Sequence, residues 1–312
     1  MKLVISVDVE EEGLFAGRYP RTPPGVSNVA ALRHLEFIPR EFGFPLTFLV
    51  TYQVSRDPEA CRVLAHWRER WGAEVGAHLH PWSTPPYAHL PYPEPVRSKN
   101  LPRDLLRKKM VTLLSSLKNN LGVTPTSFRM GRFDLSDQVL SLLPELGFKV
   151  DSSMVPLMPH LGGLEQLLWP SDPFPLPGLE PQLWEAPLTL VPVFALAPSL
   201  VYRLSRALPR KGGELLLWAF RYLGAAGTQP AWFPLTSMRL AASLHRRRRG
   251  RVINLFFHSS ELHPGASPQF PTPAAVHRLL HKIRTFLTWL QKTGPVQGFT
   301  LSQLHQFPPG EA

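Results

Sequence analysis

Cysteine is almost missing from this chain. Its 312 residues include one, Cys61, so no internal disulfide can form, and nothing in the sequence calls for an oxidising compartment. Acidic residues are the scarcer charge, with 23 Asp and Glu against 34 Lys and Arg and a formal net charge of +11. That balance permits phosphate-bearing partners such as nucleic acid, lipid head groups, nucleotide-sugars or acidic glycans, without selecting among them. The only dense basic cluster is Arg246–Arg249 with Arg251. Its plain reading is a solvated helix end before the next strand, and its functional reading is a phosphate or peripheral membrane contact. No nucleic-acid partner is expected, and no internal repeat is visible.

Long apolar runs are also lacking. Ala186 to Tyr202 carries no charge, over about the ~17 residues that a membrane span needs at minimum. Pro187, Pro192 and Pro198 would break a helix there repeatedly, so the stretch reads as a buried strand and a turn. The opening MKLVISVDVE has one lysine, a very short apolar run and then acids, which does not read as a signal peptide. The expected location is the cytoplasm.

Proline, by contrast, is abundant, with 35 residues, about twice the usual frequency of roughly 5%. With 44% hydrophobic and 18% charged residues, the composition is that of a globular chain with long, fixed loops. Short β-branched or apolar runs at 3–9, 45–52, 74–80, 126–131, 148–153, 184–192 and 251–258 read as buried strands. Between and after them, helices are expected at 28–43 (capped by Asn28), 57–72 (capped by Asp57 with Pro58 in the first turn), 102–121, 135–146, 199–207, 213–224 and 273–292. Proline-rich loops are expected at 19–25 and 83–97. Strands alternating with helices from end to end predict parallel strands with crossover helices, and a barrel rather than two domains.

The chemistry-bearing residues fall where strands end: Asp8, His78, Arg129, Asp151 and His258. In α/β barrels that is the face where sites are built. Asp8 and Glu10 are two apart and share one side of a strand. Two carboxylates facing one way repel unless a cation lies between them. Glu11 and Glu12 read as exposed loop acids. His78 and His80 likewise share a face and can meet one metal ion. Arg129, in SFRMGRF, is suited to hold a carboxylate ionised and oriented, and Arg132 lies close by. His258 ends an apolar strand before SSEL and is placed to donate a proton; a core histidine is the simpler alternative.

Taken in order, SVDVE, EVGAHLHPW, FRMGRF…LGFKVDSSMVP, LWEAPL and NLFFHSSEL resemble the polysaccharide deacetylase (NodB-homology) family, from residue 3 to about 305. The resemblance implies an α/β fold, a distorted (β/α)7 barrel, and hydrolysis of N- or O-acetyl groups on glycans with one divalent metal, zinc being the expected ion. Carried over, Asp8 matches the catalytic base, Arg129 the arginine that tethers it, and His258 the general acid. His78 matches the first metal histidine, and Glu10 falls near the metal-binding acid. Two departures stand out. The second histidine is usual four residues after the first, where this chain has Trp82, so His80 is the expected replacement. The metal acid, usually aspartate, is a glutamate here. Trp82, Arg132, Asp151 and Glu261 are the expected substrate contacts.

The expected protein is therefore one catalytic domain with a lid-like insertion at about 154–245, removing an acyl group from an N-acylated sugar or glycan intermediate, with lipid-linked and nucleotide-linked sugars as options. A hydrolase of small non-sugar amides, and a non-catalytic carbohydrate-binding protein on a degenerate barrel, are the alternatives. The oligomeric state is not legible in the sequence.

Overall fold

The computed structural model describes residues 1–306 apart from 18, 23 and 24. Pro23 and Pro24 of the expected loop at 19–25, and residues 307–312, lie outside the described residues. The strands are β1 (Lys2–Val9), β2 (Thr47–Val50), β3 (Glu74–Leu79), β4 (Ser127–Met130), β5 (Val150–Asp151), β6 (Phe174–Pro175), β7 (Trp184–Glu185), β8 (Leu190–Pro192), β9 (Ala225–Gly227), β10 (Val252–His258) and β11 (Gln297–Phe299). The helices are α1 (Tyr52–Arg56), α2 (Pro58–Trp71), α3 (Arg103–Leu121), α4 (Asp137–Glu145), α5 (Pro159–Gly162), α6 (Ala197–Ala207), α7 (Arg210–Ala219), α8 (Leu235–Arg247) and α9 (Pro273–Lys292).

Seven strands run parallel in the order β10-β1-β2-β3-β4-β5-β7. This is the expected α/β architecture of a distorted (β/α)7 barrel, with the parallel sheet curled as a half-barrel. The antiparallel β6 adds to β7, and β11 adds to the start of β1 beside Lys2–Val4. Strands covered on both faces must be apolar throughout. In β1, Leu3, Val4, Ile5, Val7 and Val9 are all fully buried, as are Ile253, Leu255 and Phe257 of β10. Between the two ends of the sheet, one residue bridges the seam. The Asn254 amide donates to the carbonyls of Ala186 (2.9 Å) and Pro187 (3.2 Å), its backbone N–H donates to Thr189 Oγ1 (2.8 Å), and Thr189 N–H returns to its carbonyl (3.2 Å).

Several helices form for the reasons their sequences give. Asp57 Oδ1 accepts from Ala60 N–H at 2.8 Å, Pro58 fits the first turn, and Gly72 takes the left-handed conformation that ends α2. The helix expected at 28–43 does not form as one. It is a 3-10 stretch at Ser27–Leu35 and a wide turn at Ile38–Phe42. Asn28 caps nothing: its amide donates instead to Glu10 O (3.0 Å) and Ser259 Oγ (2.8 Å). The strand expected at 184–192 splits at Pro187 into β7, inside the barrel, and β8, which pairs antiparallel with β9. The expected strand and turn through 186–202 continue into α6, and no described helix is long and apolar enough to cross a membrane. Helix α8 ends in the basic cluster, as the plain reading of Arg246–Arg249 as a helix end expected; its start at Leu235 carried no sequence signal.

The stretch 154–245 is thus not all outside the barrel, since β7 belongs to it. Beyond β7, the pair β8–β9 forms the base from which the α6–α7 hairpin projects. Phe133 and Phe256 of the barrel join Val155, Leu157, Leu188 and Phe220 in one apolar cluster that fastens this wall to the barrel. The basic cluster closes α8. Arg246 donates to Thr293 O (2.6 Å), Arg248 to Pro192 O (2.6 Å) and Val193 O (2.9 Å), so these guanidiniums tie the helix end to neighbouring carbonyls.

Candidate metal centre and active site

Parallel register sets the strand ends level. Asp8 of β1 lies opposite His258 of β10, and His78 of β3 lies opposite Arg129 of β4. All four reach one end of the barrel, where a cavity of about 780 Å³ opens. Asp8, Glu10, His78, His80, Trp82, Arg132 and His258 line it.

Arg129 is fully buried within β4, inside the strand expected at 126–131. Its Nη1 donates to Asp8 Oδ1 at 2.7 Å, Nη2 to Ser6 Oγ (2.9 Å) and Ser152 Oγ (2.8 Å), and Nε to Ser152 O (2.8 Å). Phe256 covers the guanidinium, 4.8 Å from the ring centre. A guanidinium so fully engaged fixes the Asp8 carboxylate in place and leaves Oδ2 toward the cavity.

Glu10, His78 and His80 bring one ligand atom each within 4.8 Å of one another. His78 Nε2 is 3.6 Å from Glu10 Oε2, and His80 Nε2 is 3.4 Å from it. Donors bound at about 2.0–2.2 Å to a tetrahedral zinc lie roughly 3.3–3.6 Å apart, so the spacing suits such an ion. The outer contacts suit it too. His78 Nδ1 is 3.0 Å from the Arg129 carbonyl and His80 Nδ1 is 2.9 Å from Glu11 Oε1. Both acceptors demand a proton on Nδ1, which turns the Nε2 lone pairs inward, the arrangement ligating histidines adopt. Glu10 is set by its own supports: its N–H donates to Ser259 Oγ (3.2 Å), which also accepts from Asn28. Gly131 permits the approach of β4 to β3, because a Cβ there would lie 2.5 Å from His80 Cδ2 and 2.7 Å from Leu79 O.

The charge balance points the same way. Asp8, Glu10, Glu11 and Glu261 are all buried, with Arg129 as the buried arginine among them. Burial would raise the Glu10 pKa, but the charge of His258 and the contacts with His78 and His80 hold it far below the carboxylate range. Burial likewise opposes a charge on His80, yet Glu11 and Glu10 push it up to about 10. His258 is pushed up to about 9, with burial outweighed by Glu10 and then Glu261. The buried carboxylates at the floor of the pocket thus hold His80 and His258 toward their charged forms.

Two expected substrate contacts do not line the cavity. Glu261 lies behind His258, accepting from its N–H (3.1 Å) and its Nδ1 (3.0 Å), and so aims Nε2 at the cavity. Asp151 is buried beside Glu185, its register partner on β7, and accepts from Ser153 Oγ at 2.6 Å. The reason is local: each strand end offers an inward and an outward side, and neighbours decide which is cavity. Trp82 and Arg132 do face the cavity. Trp82 stacks on His80 at 4.4 Å, Tyr19 meets its edge at 5.1 Å, and Arg132 lies 4.9 Å from the Tyr19 ring. Arg132 and Phe133 both have positive φ, 59° and 55°, a strained turn that throws the two side chains to the cavity wall.

Glu11, expected to be exposed, is buried and accepts from both His80 and Ser83 Oγ (2.7 Å). Glu12 is half-buried and accepts from Ser27 Oγ (2.6 Å) and Asn28 N–H (3.0 Å). Sequence reasoning also missed Phe15, Tyr19, Arg97, Arg221 and Trp232 on the cavity wall. They come from loops and the α6–α7 region, where no periodicity marks an inward face.

No protein-family model and no curated protein matches the chain. Solved structures do. A protein from Mycobacterium smegmatis assigned as a polysaccharide deacetylase matches with a TM-score of 0.57 at 19% identity, over 98% of this chain and 88% of the other. One from Parabacteroides distasonis assigned as a glycoside hydrolase/deacetylase gives 0.61 at 12% identity, over 98% and 70%. The chain has the polysaccharide deacetylase fold, as a divergent example of it.

Proposed function

We propose that this protein is a metal-dependent hydrolase that removes an acyl group, acetyl in the simplest case, from the nitrogen of a sugar or glycan intermediate. The observation that carries this reading is one juxtaposition: Glu10, His78 and His80 gathered within 4.8 Å, beside an Asp8 clamped by Arg129 at 2.7 Å. A divalent cation held by those three, with zinc the natural choice for nitrogen and oxygen donors, supplies a Lewis acid for the acyl carbonyl and acidifies the attacking water.

The chain's own residues do the rest. Asp8 Oδ1 is engaged by Arg129, so Oδ2, 3.6 Å from His78 Nε2, is the oxygen that accepts the water's proton. As the water oxygen bonds to the acyl carbon and the carbon–nitrogen bond breaks, His258 passes its proton to the leaving nitrogen. Glu261 fixes the Nδ1–H of His258 and favours its charged form. Trp82, Tyr19 and Trp232 offer faces for a sugar ring, and Arg97, Arg132 and Arg221 suit an anionic group such as phosphate.

The same reading takes the chain as one catalytic domain with residues 154–245 walling the cavity, supported by their shared apolar cluster with the barrel. Limited proteolysis that released this stretch as a stable folded fragment would count against it. The function itself is tested by loading the purified protein with zinc and measuring acetate release from an N-acetylated oligosaccharide and from a nucleotide-linked N-acetyl sugar. Release that disappears with chelator is expected. A protein that binds no metal and frees no amine refutes the reading.

A further inference from the structure

Large exposed hydrophobic side chains are not scattered evenly over this molecule. Of the fifteen among the described residues, nine lie between residues 194 and 223, so one local feature accounts for most of them. They are also ordered. Along α6 and its two flanking residues, Leu196, Leu200, Leu204 and Leu208 recur every fourth residue, with Leu200 and Leu204 on one side of the helix. The opposite side of α6 carries the buried Pro198 and Val201, which hold the helix to the protein. On α7 and the turn after it, Leu215, Trp218 and Tyr222 repeat the pattern at spacings of three and four. Leu196 is 82% exposed, Trp218 60% and Leu223 79%, well beyond what an isolated surface leucine or tryptophan shows in passing.

The charged residues of the hairpin are mostly basic. Arg203, Arg206, Arg210, Lys211 and Arg221 stand against a single acid, Glu214. A second copy of the same basic face would be repelled, whereas an anionic surface would be attracted. Leucines flanked by Trp, Tyr and arginines are also the composition that lies in a lipid interface: the rings sit at head-group level and the arginine stems reach past the apolar layer. The hairpin is continuous with the cavity, since Arg221 and Tyr222 belong to its lining.

We propose that the α6–α7 hairpin is a docking surface for an anionic lipid bilayer, lying in the head-group layer and holding the mouth of the cavity against it. The hairpin rests on the surface and does not span it, in keeping with the lack of any described helix long and apolar enough to cross a membrane. The surface stands independently of the proposed chemistry.

The test is co-sedimentation of the full chain with vesicles of phosphatidylcholine alone and with one third phosphatidylglycerol. Wild type is expected to sediment with the anionic vesicles, and less so as salt rises. L196S/W218S should lower the partition about tenfold or more, from the apolar area withdrawn, while R203E/R206E should lower it on anionic vesicles only. Both variants change exposed positions, so their melting temperatures should match wild type, and metal content reports the site separately. Wild type that stays in the supernatant with anionic vesicles overturns the proposal. So does binding that neither variant weakens. A wild-type dimer that L196S/W218S turns into a monomer, seen by light scattering, would make a second copy the occupant instead.

Discussion

Glu10 and Glu185 are both carboxylates buried in the same barrel, yet their surroundings drive them in opposite directions. Glu10 faces three imidazoles, whose charge and contacts hold it ionised against the effect of burial. Glu185 faces Asp151 across the β5–β7 pair, and burial together with that neighbouring negative charge pushes its pKa well up. Met154 N–H donates to Glu185 Oε1 at 3.0 Å and Ser153 Oγ to Asp151 Oδ1 at 2.6 Å, while Glu185 Oε2 and Asp151 Oδ2 find no hydrogen-bond partner among the described residues. Burial alone therefore does not set the charge of a carboxylate. Neighbouring histidines keep Glu10 ionised, whereas at Glu185 burial and Asp151 outweigh the charge of Arg129.

Substitution of each acid by its amide should break the comparison most sharply at Glu10. Glu10→Gln removes the only carboxylate of the three candidate ligands, and both metal content and deacylation should fall to background. Full metal occupancy in that variant, read by elemental analysis, would discard the ligand assignment. Next in size is His258→Ala. Loss of the proposed general acid should lower turnover about 10²–10⁴-fold with KM and metal content little changed. If the metal is lost as well, His258 is a ligand and His80 is the doubtful member.

A smaller effect is expected from Glu261→Gln. The Glu261 carboxylate helps hold His258 up at about 9, and its removal lets that pKa fall. His258 must carry a proton to donate one, so the alkaline limb of the rate profile should move to lower pH, with the rate below the limb largely kept. An unmoved limb would mean that another group sets it. The smallest effect is expected from Glu185→Gln. A residue already neutral should tolerate the amide, changing stability by less than about 1 kcal/mol near pH 5. The sign at higher pH follows from linkage. The folded pKa of Glu185 lies above its ordinary 4.5, so its contribution is fully present below 4.5. It is lost as pH rises toward the folded value, because only the unfolded chain gives up its proton there. Wild type should therefore lose melting temperature relative to Glu185→Gln as pH rises above 5, and parallel curves would show that Glu185 is ionised in the fold.

Much of the cavity was readable from strand periodicity. Asp8 with Glu10 and His78 with His80 are two apart, and a strand turns such pairs to one side wherever it lies. Glu11 was misjudged for the complementary reason. It points away from Glu10, and whether that side meets water depends on Ser83 and His80, some seventy residues on. Asp151 and Glu261 were taken for substrate contacts because they follow strand ends, but the sequence does not say which side of an end faces the cavity. The helix expected at 28–43 failed where Asn28 was drawn from capping into the bonds that fix Glu10 and Ser259.

By itself the sequence determined the alternation of apolar strands and helices, the cap and glycine that bound α2, and the same-side pairs of candidate ligating residues. These rest on local periodicity and backbone preference, which act within a few residues. Only the tertiary structure decided that Arg129 reaches Asp8, that Glu11 stands behind His80, that Glu185 faces an acid instead of a cation, and that the α6–α7 leucines are left uncovered. Each of these depends on which distant segment packs alongside, and so on the parallel register and curl of the sheet, which bring together charges that are far apart along the chain.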